Sequence, residues 1–214
     1  MMADDRETAD SETAQFLPRA EVSDAARSLF DEDIEEVGFV MNVSRLWAYQ
    51  PQALSGLFAL MTEVTSARPF TVRERGILVA ACASTVGDSY CSLAWGTKLA
   101  EETSPRLAAG VLRGEDVELS AAERAMAAWA RRVARDPSSV RAGDLAQLRE
   151  TGFSDADIFA MTVYVALRVA FSTVNDALGA HPDAEYRVKA PAEVLRAVTY
   201  GHLIAEAGQG GGHG

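Results

Sequence analysis

Apolar positions recur every three or four residues along most of the chain, and polar caps bracket nearly every such run. Ser23 precedes Ala26, Leu29, Phe30, Ile34 and Val37, with Gly38 behind them, which predicts a first helix. Val43 to Tyr49 adds a turn or two. Pro51 opens a stripe of Leu54, Leu57, Phe58, Met61 and Val64 that closes before Pro69. Thr71 and Glu74 have the spacing of a capping box and begin an Ala-rich apolar run through Val86. Gly87 suits a left-handed stop, and Asp88 the N-cap of a helix to about Glu102. Ser104-Pro105 starts a short helix to Gly114. Ser120 and Glu123 open another, from Ala121 to Ala134, stopped by Asp136-Pro137. Leu145 and Leu148 mark a helix ending at Gly152. Ser154 and Asp157 begin a long apolar one that reaches about Leu178, and a last amphipathic segment runs from Pro191 to Ile204.

No run has the alternation or bracketing of a strand, so the expected fold is all-α. The helix after Thr71 is apolar on nearly every side and must be surrounded, by its own domain or by a partner subunit. The expected organisation is one helical domain over 16–204. It is flanked by an acidic disordered tail, 1–15, and a Gly-rich disordered tail, 205–214.

At 214 residues, with 48% hydrophobic and 24% charged residues, the chain is long and apolar enough for a full core. A net charge of −11 disfavours nucleic acid and anionic lipid as partners. The N-terminus lacks the apolar core of a signal peptide, and Arg168 interrupts the most apolar run, so a cytoplasmic, non-membrane protein is expected. Two cysteines make no disulfide framework.

The chemistry concentrates at the Gly87 break. With Asp88 as N-cap, Cys91 falls on the third helical position, its sulfur close to free backbone amides and the positive end of the helix dipole. An ordinary thiol is about 3% thiolate at pH 7. A dipole contribution of roughly 0.3–1 kcal/mol raises that to about 15% at most. Asp88 opposes it with a like charge, and no Lys, Arg or His lies within one turn in sequence. Cys91 is therefore a positioned thiol, either redox-active or a packing residue. Cys82 lies five residues inside the preceding helix, where it reads as a small buried hydrophobe and a poor geometric match for a disulfide with Cys91.

The stretch from Thr71 to Ala100, TVRERGILVAACASTVGDSYCSLAWGTKLA, resembles the core motif of the alkylhydroperoxidase D and carboxymuconolactone decarboxylase superfamily. PQALSGLFALM, LSAAERAMAAWARRVARDP and LRETGFSDADIFAMTVYVALRVAF are similar to its longer peroxidase-related members, so the likeness runs from about Phe16 to Asp183. The peroxidases of that family carry a Glu on the first helix and Cys-x-x-Cys opening the second, with a His before the second Cys and another four after it. The second, peroxide-reacting Cys corresponds to Cys91. The first Cys is here Asp88, the two His positions are Tyr90 and Trp95, and the Glu falls on Gly76. Glu74 sits about 200° around the helix from the position after next and already serves the cap. The resemblance implies a multi-helix alkylhydroperoxidase D-like bundle forming homo-oligomers, commonly trimers or hexamers. It also implies thiol-based reduction of small organic hydroperoxides. With one cysteine of the pair left, that means a one-Cys cycle with an external thiol reductant and slow or no turnover. Lactone decarboxylation is a weaker enzymatic alternative, for want of its polar catalytic groups.

Tyr90 and Trp95 either fill the volume of the replaced imidazoles or build an apolar pocket in which Tyr90 donates a hydrogen bond to a small ligand. Arg168, between Leu167 and Val169, is read as a buried cation paired with a carboxylate such as Asp88, Glu123 or Asp176, or as the mark of a polar, subunit-facing side. Asn175 and Asp176 either join that cluster or face solvent. His181, His202 and His213 have no metal-ligand spacing, and no cofactor-binding glycine loop is present. The competing reading of the whole chain is a non-catalytic helical scaffold or small-ligand-binding protein.

Overall fold

The computed structural model describes residues 15–116 and 118–207; the expected tails, 1–15 and 205–214, lie outside it except for residues 15 and 205–207, where Gln15 and Ala205 are buried. The described residues form eleven α-helices and no strand, an all-α fold. They are α1 (Asp24–Val37), α2 (Asn42–Trp47), α3 (Pro51–Val64), α4 (Val72–Val86), α5 (Ser89–Glu102), α6 (Pro105–Arg113), α7 (Ala121–Arg135), α8 (Ala142–Glu150), α9 (Asp155–Ala177), α10 (Tyr186–Lys189) and α11 (Ala192–Ala197).

The caps form as their spacing predicts. The Thr71, Ser120 and Ser154 hydroxyls accept from the amides of Glu74, Glu123 and Asp157, whose carboxylates accept in return from the cap amides. Gly87 ends α4 in the left-handed region at φ 85°, and the Asp88 side chain caps α5. Helix α4 is the axis: its run from Gly76 to Ala83 is buried, and α5, α6, α7 and α9 pack around it. The protein's own helices thus supply the surround that its sequence demands.

Helix α9 is long and apolar enough to cross a bilayer by length and composition. It nonetheless packs against α3, α4 and α7 and buries Met161, Val165 and Arg168 within the chain.

Three differences from the sequence reading stand out. A 3-10 turn over Pro137–Ser139 follows α7. The short α10 carries no apolar period that would announce it. The segment expected as one helix from Pro191 to Ile204 is helical only to Ala197. Val198 turns extended, and Gly201 takes φ 71°. The chain then folds back, with the Ala205 amide donating to the Pro182 carbonyl at 2.8 Å and Ser89 Oγ to the His202 carbonyl at 2.8 Å. That pins the last described stretch over the α4–α5 break, where Gly201 lies too close to the Gly87 carbonyl and Ser89 for any side chain.

Candidate active site

The α4–α5 break fixes Cys91. The Asp88 carboxylate accepts from the Cys91 amide at 2.9 Å and from the Ser172 hydroxyl of α9 at 2.5 Å, and it is itself wholly buried. This holds the first turn of α5 against the middle of α9. Cys91 is 2% exposed.

From α9, the Arg168 Nη2 donates toward the Cys91 Sγ at 3.4 Å. This corrects the expected pairing of Arg168 with a carboxylate. Among the described residues no carboxylate forms an ion pair with it, and Glu123 is taken instead by Arg73. The guanidinium carbon lies over two rings, 5.6 Å from the Trp95 ring centre and 5.2 Å from that of Phe171. Such cation–π contacts suit a weakly hydrated, delocalised cation. The cation missing from the sequence near Cys91 therefore arrives from a helix 77 residues away.

Burial pushes the Cys91 thiol well above the ordinary range, the Asp88 charge adds to the rise, and the Arg168 charge works against both. At rest Cys91 is a protonated thiol beside a cation. Arg168 keeps its proton: burial opposes the charge, and the negative charge of Asp88 nearby works against that penalty.

Cys91, Trp95 and Arg168 share the wall of a cavity of about 170 Å³. Met41 and Val43, Phe58, Phe171, and Tyr186 bring apolar surface from α2, α3, α9 and α10 and the approach to α2. At its edge the Lys98 ammonium pairs with Glu36 at 2.5 Å. Trp95 stands one turn beyond Cys91 on the same side of α5, as their spacing requires. Tyr90 also borders the cavity, but its hydroxyl donates to the Asp183 carboxylate. The reading of Tyr90 as a free donor to a ligand is thereby corrected, because its hydrogen bond is spent inside the protein.

Asp183 also accepts from the Asn42 amide at 2.7 Å, and burial raises its carboxyl to about 6. Sequence gave no sign of this residue, which lies in a loop with no helical period. The polar positions of α9 did carry a signal. Arg168, Ser172 and Asn175 fall at i, i+4 and i+7, one buried face of an apolar helix. Arg168 meets the sulfur, Ser172 meets Asp88, and Asn175 accepts from the Trp47 indole at 2.8 Å. Asp176 lies apart and half-buried, its carboxyl raised to about 6 by burial.

Cys82 is buried in α4 and unbonded, its thiol pushed up to about 12 by burial. It behaves as the small hydrophobe expected of it. Gly76 is closely packed, since a Cβ there would lie 3.1 Å from Leu99 Cβ and Cδ1, and a glutamate would have to displace Leu99. His181 and His202, far apart in sequence, have ring centres 5.2 Å apart, and each donates a ring N–H to a backbone carbonyl. No group of three or more His, Cys, Asp or Glu side chains is placed to hold a metal among the described residues.

No protein-family model and no curated protein matches the sequence. Solved structures do match. An uncharacterized peroxidase-related protein with the alkylhydroperoxidase AhpD core, from Ralstonia eutropha JMP134, aligns with TM-score 0.73 at 24% identity, over 87% of this chain and 98% of that one. An uncharacterized peroxidase-related protein from Silicibacter sp. TM1040 gives 0.73 and 24% over 88% and 98%. The debrominase Bmp8, in complex with 2,3,4-tribromopyrrole, gives 0.64 and 16% over 80% and 93%. The fold of this chain is thus similar to the alkylhydroperoxidase AhpD core, with the helix break and the cysteine beneath it that its sequence announces.

Proposed function

We propose that the protein is a one-Cys thiol peroxidase that reduces small organic hydroperoxides at Cys91. The observation that carries this reading is the 3.4 Å contact between the Arg168 guanidinium and a thiol on a cavity wall. A fixed cation beside sulfur stabilises negative charge as it develops in the transition state, in a site with little water to screen it. The thiol sulfur attacks the terminal peroxide oxygen. The S–O bond forms as the O–O bond breaks, and the thiol proton goes to the departing alkoxide. The products are Cys91 sulfenic acid and an alcohol. Cys82 is buried in α4 and no disulfide joins it to Cys91, so an external thiol completes the cycle. It displaces water from the sulfenic acid to give a mixed disulfide, and a second external thiol releases Cys91.

Turnover is slow in this reading, because the resting thiol is protonated and neither Tyr90 nor Trp95 relays protons near neutral pH. The protein acts in the cytoplasm as a homo-oligomer, a trimer or hexamer.

The competing reading, a small-ligand-binding protein without turnover, is favoured by the burial that keeps Cys91 protonated. The Bmp8 complex adds that a protein of this fold holds a small halogenated ring. One stoichiometric hydroperoxide treatment with sulfenic-acid trapping separates the two. The peroxidase labels at least tenfold faster than a free thiol, and labelling vanishes in Cys91→Ser. Equal labelling of both proteins, or none, leaves the binding protein.

A further inference from the structure

We propose that the cavity at Cys91 is a binding site for a single-ring aromatic carboxylate, so that the peroxide it meets is an aromatic peroxy acid. This rests on the cavity being the reaction site and names what that site takes. Three observations converge on the same ligand.

The first is size. A dry apolar cavity of about 150 Å³ accepts benzene, and this one measures about 170 Å³, enough for one ring and a small substituent. The second is the wall. Phe58, Tyr90, Trp95, Phe171 and Tyr186 all line it, and rings pack best against rings, offset or edge-on. The third is the unmet charge. Arg168 is 4% exposed and forms no ion pair with a carboxylate among the described residues, and its buried Nε has no hydrogen-bond partner. A guanidinium presents paired N–H groups that match the two oxygens of a carboxylate. Asp88, committed to the Cys91 amide and Ser172, balances the charge only from a distance.

The position of that cation sets the chemistry. Oxygens seated on Arg168 lie beside the sulfur, because Nη2 is 3.4 Å from Sγ. For an aromatic peroxy acid, the sulfur takes the terminal oxygen with its hydrogen as the O–O bond breaks. The arenecarboxylate leaves as an anion onto the guanidinium and the thiol proton passes to water, so a sulfenic acid and an arenecarboxylate result. The product is the very anion the site is shaped to hold.

The test is calorimetric titration of the full chain with benzoate, benzyl alcohol (the same ring, neutral) and acetate (the same anion without the ring). Benzoate is expected to bind at least tenfold more tightly than either. Arg168→Met should lose at least tenfold for benzoate while benzyl alcohol changes less than twofold, with Arg168→Lys between. Wild-type protein that binds benzoate no better than benzyl alcohol, or binds neither, overturns the proposal whether or not the variants fold. A parallel arm compares Cys91 sulfenic-acid formation by peroxybenzoic acid and by tert-butyl hydroperoxide. A preference at least tenfold beyond that of free cysteine is expected. Benzoate binding without sulfenic acid keeps the ligand site and removes the peroxidase. Sulfenic acid formed from both peroxides without preference, and without benzoate binding, does the reverse.

Discussion

Two fields meet at the sulfur of Cys91. The helix terminus offers roughly 0.3–1 kcal/mol, burial and Asp88 oppose ionisation, and only Arg168 supplies a full positive charge at contact distance. The sign of each change follows. Alkylation of Cys91 by iodoacetamide should show a midpoint above that of free cysteine, because the thiol is raised. Arg168→Met should move it higher still. Asp88→Asn, which keeps a capping oxygen and removes the like charge, should lower it and speed alkylation several-fold at neutral pH. A midpoint indifferent to both changes would mean that neither charge reaches the sulfur. Asp183 supplies a second titration. Its carboxyl rises from 3.8 to about 6 on folding through burial, so the folded state holds the proton more tightly than the unfolded one. Its stabilising contribution is full below about pH 4 and is lost as the pH passes 6. Two pKa units correspond to about 3 kcal/mol at most. Denaturant midpoints between pH 4 and 7 should fall less steeply in Asp183→Asn, which can still accept from the Asn42 amide.

At the scale of elements, the sequence was most readable where local chemistry decides. Thr71 with Glu74, Gly87 and Asp88 fix the two helices at the break without help from elsewhere. Gly87→Ala meets open space but keeps φ at 85°, so it should destabilise by about 1 kcal/mol, read as a shift in denaturant midpoint with an unchanged slope. Legibility ended where partners are remote. Nothing near Arg168 shows that its neighbour is Cys91, and nothing near Tyr90 points to Asp183. The early end of α11 was equally hidden, since Leu203 and Ile204 continue an amphipathic count that Val198 and Gly201 interrupt. Gly76 illustrates the opposite case, a position where the resemblance implies a glutamate and packing explains the glycine. Helices α4 and α5 approach so closely there that Leu99 fills the space. Gly76→Glu should therefore destabilise by at least about 3 kcal/mol rather than restore a proton relay, as thermal unfolding would show.

For the whole molecule, the sequence required an apolar α4 to be surrounded, by its own domain or by a partner subunit, and the packing of α5, α6, α7 and α9 meets that demand within one chain. Apolar side chains remain outside, among them Phe58 and Leu60 on α3 and Phe159 on α9, the last 69% exposed. Association through such surface is the expected consequence, and light scattering should return three or six times the 22.9 kDa chain mass. A mass of one chain would remove the oligomer from the proposal while leaving the cavity untouched.

The distance along the chain between Cys91 and Arg168 also has a meaning in time. Synthesis at about 5–20 residues per second needs roughly 4–15 s to cover the 77 residues between them. Throughout that interval the growing chain carries a thiol with neither α9 nor its cation beside it. An oxidant arriving then finds an ordinary cysteine, and damage done on the ribosome would be carried into the fold when α9 docks.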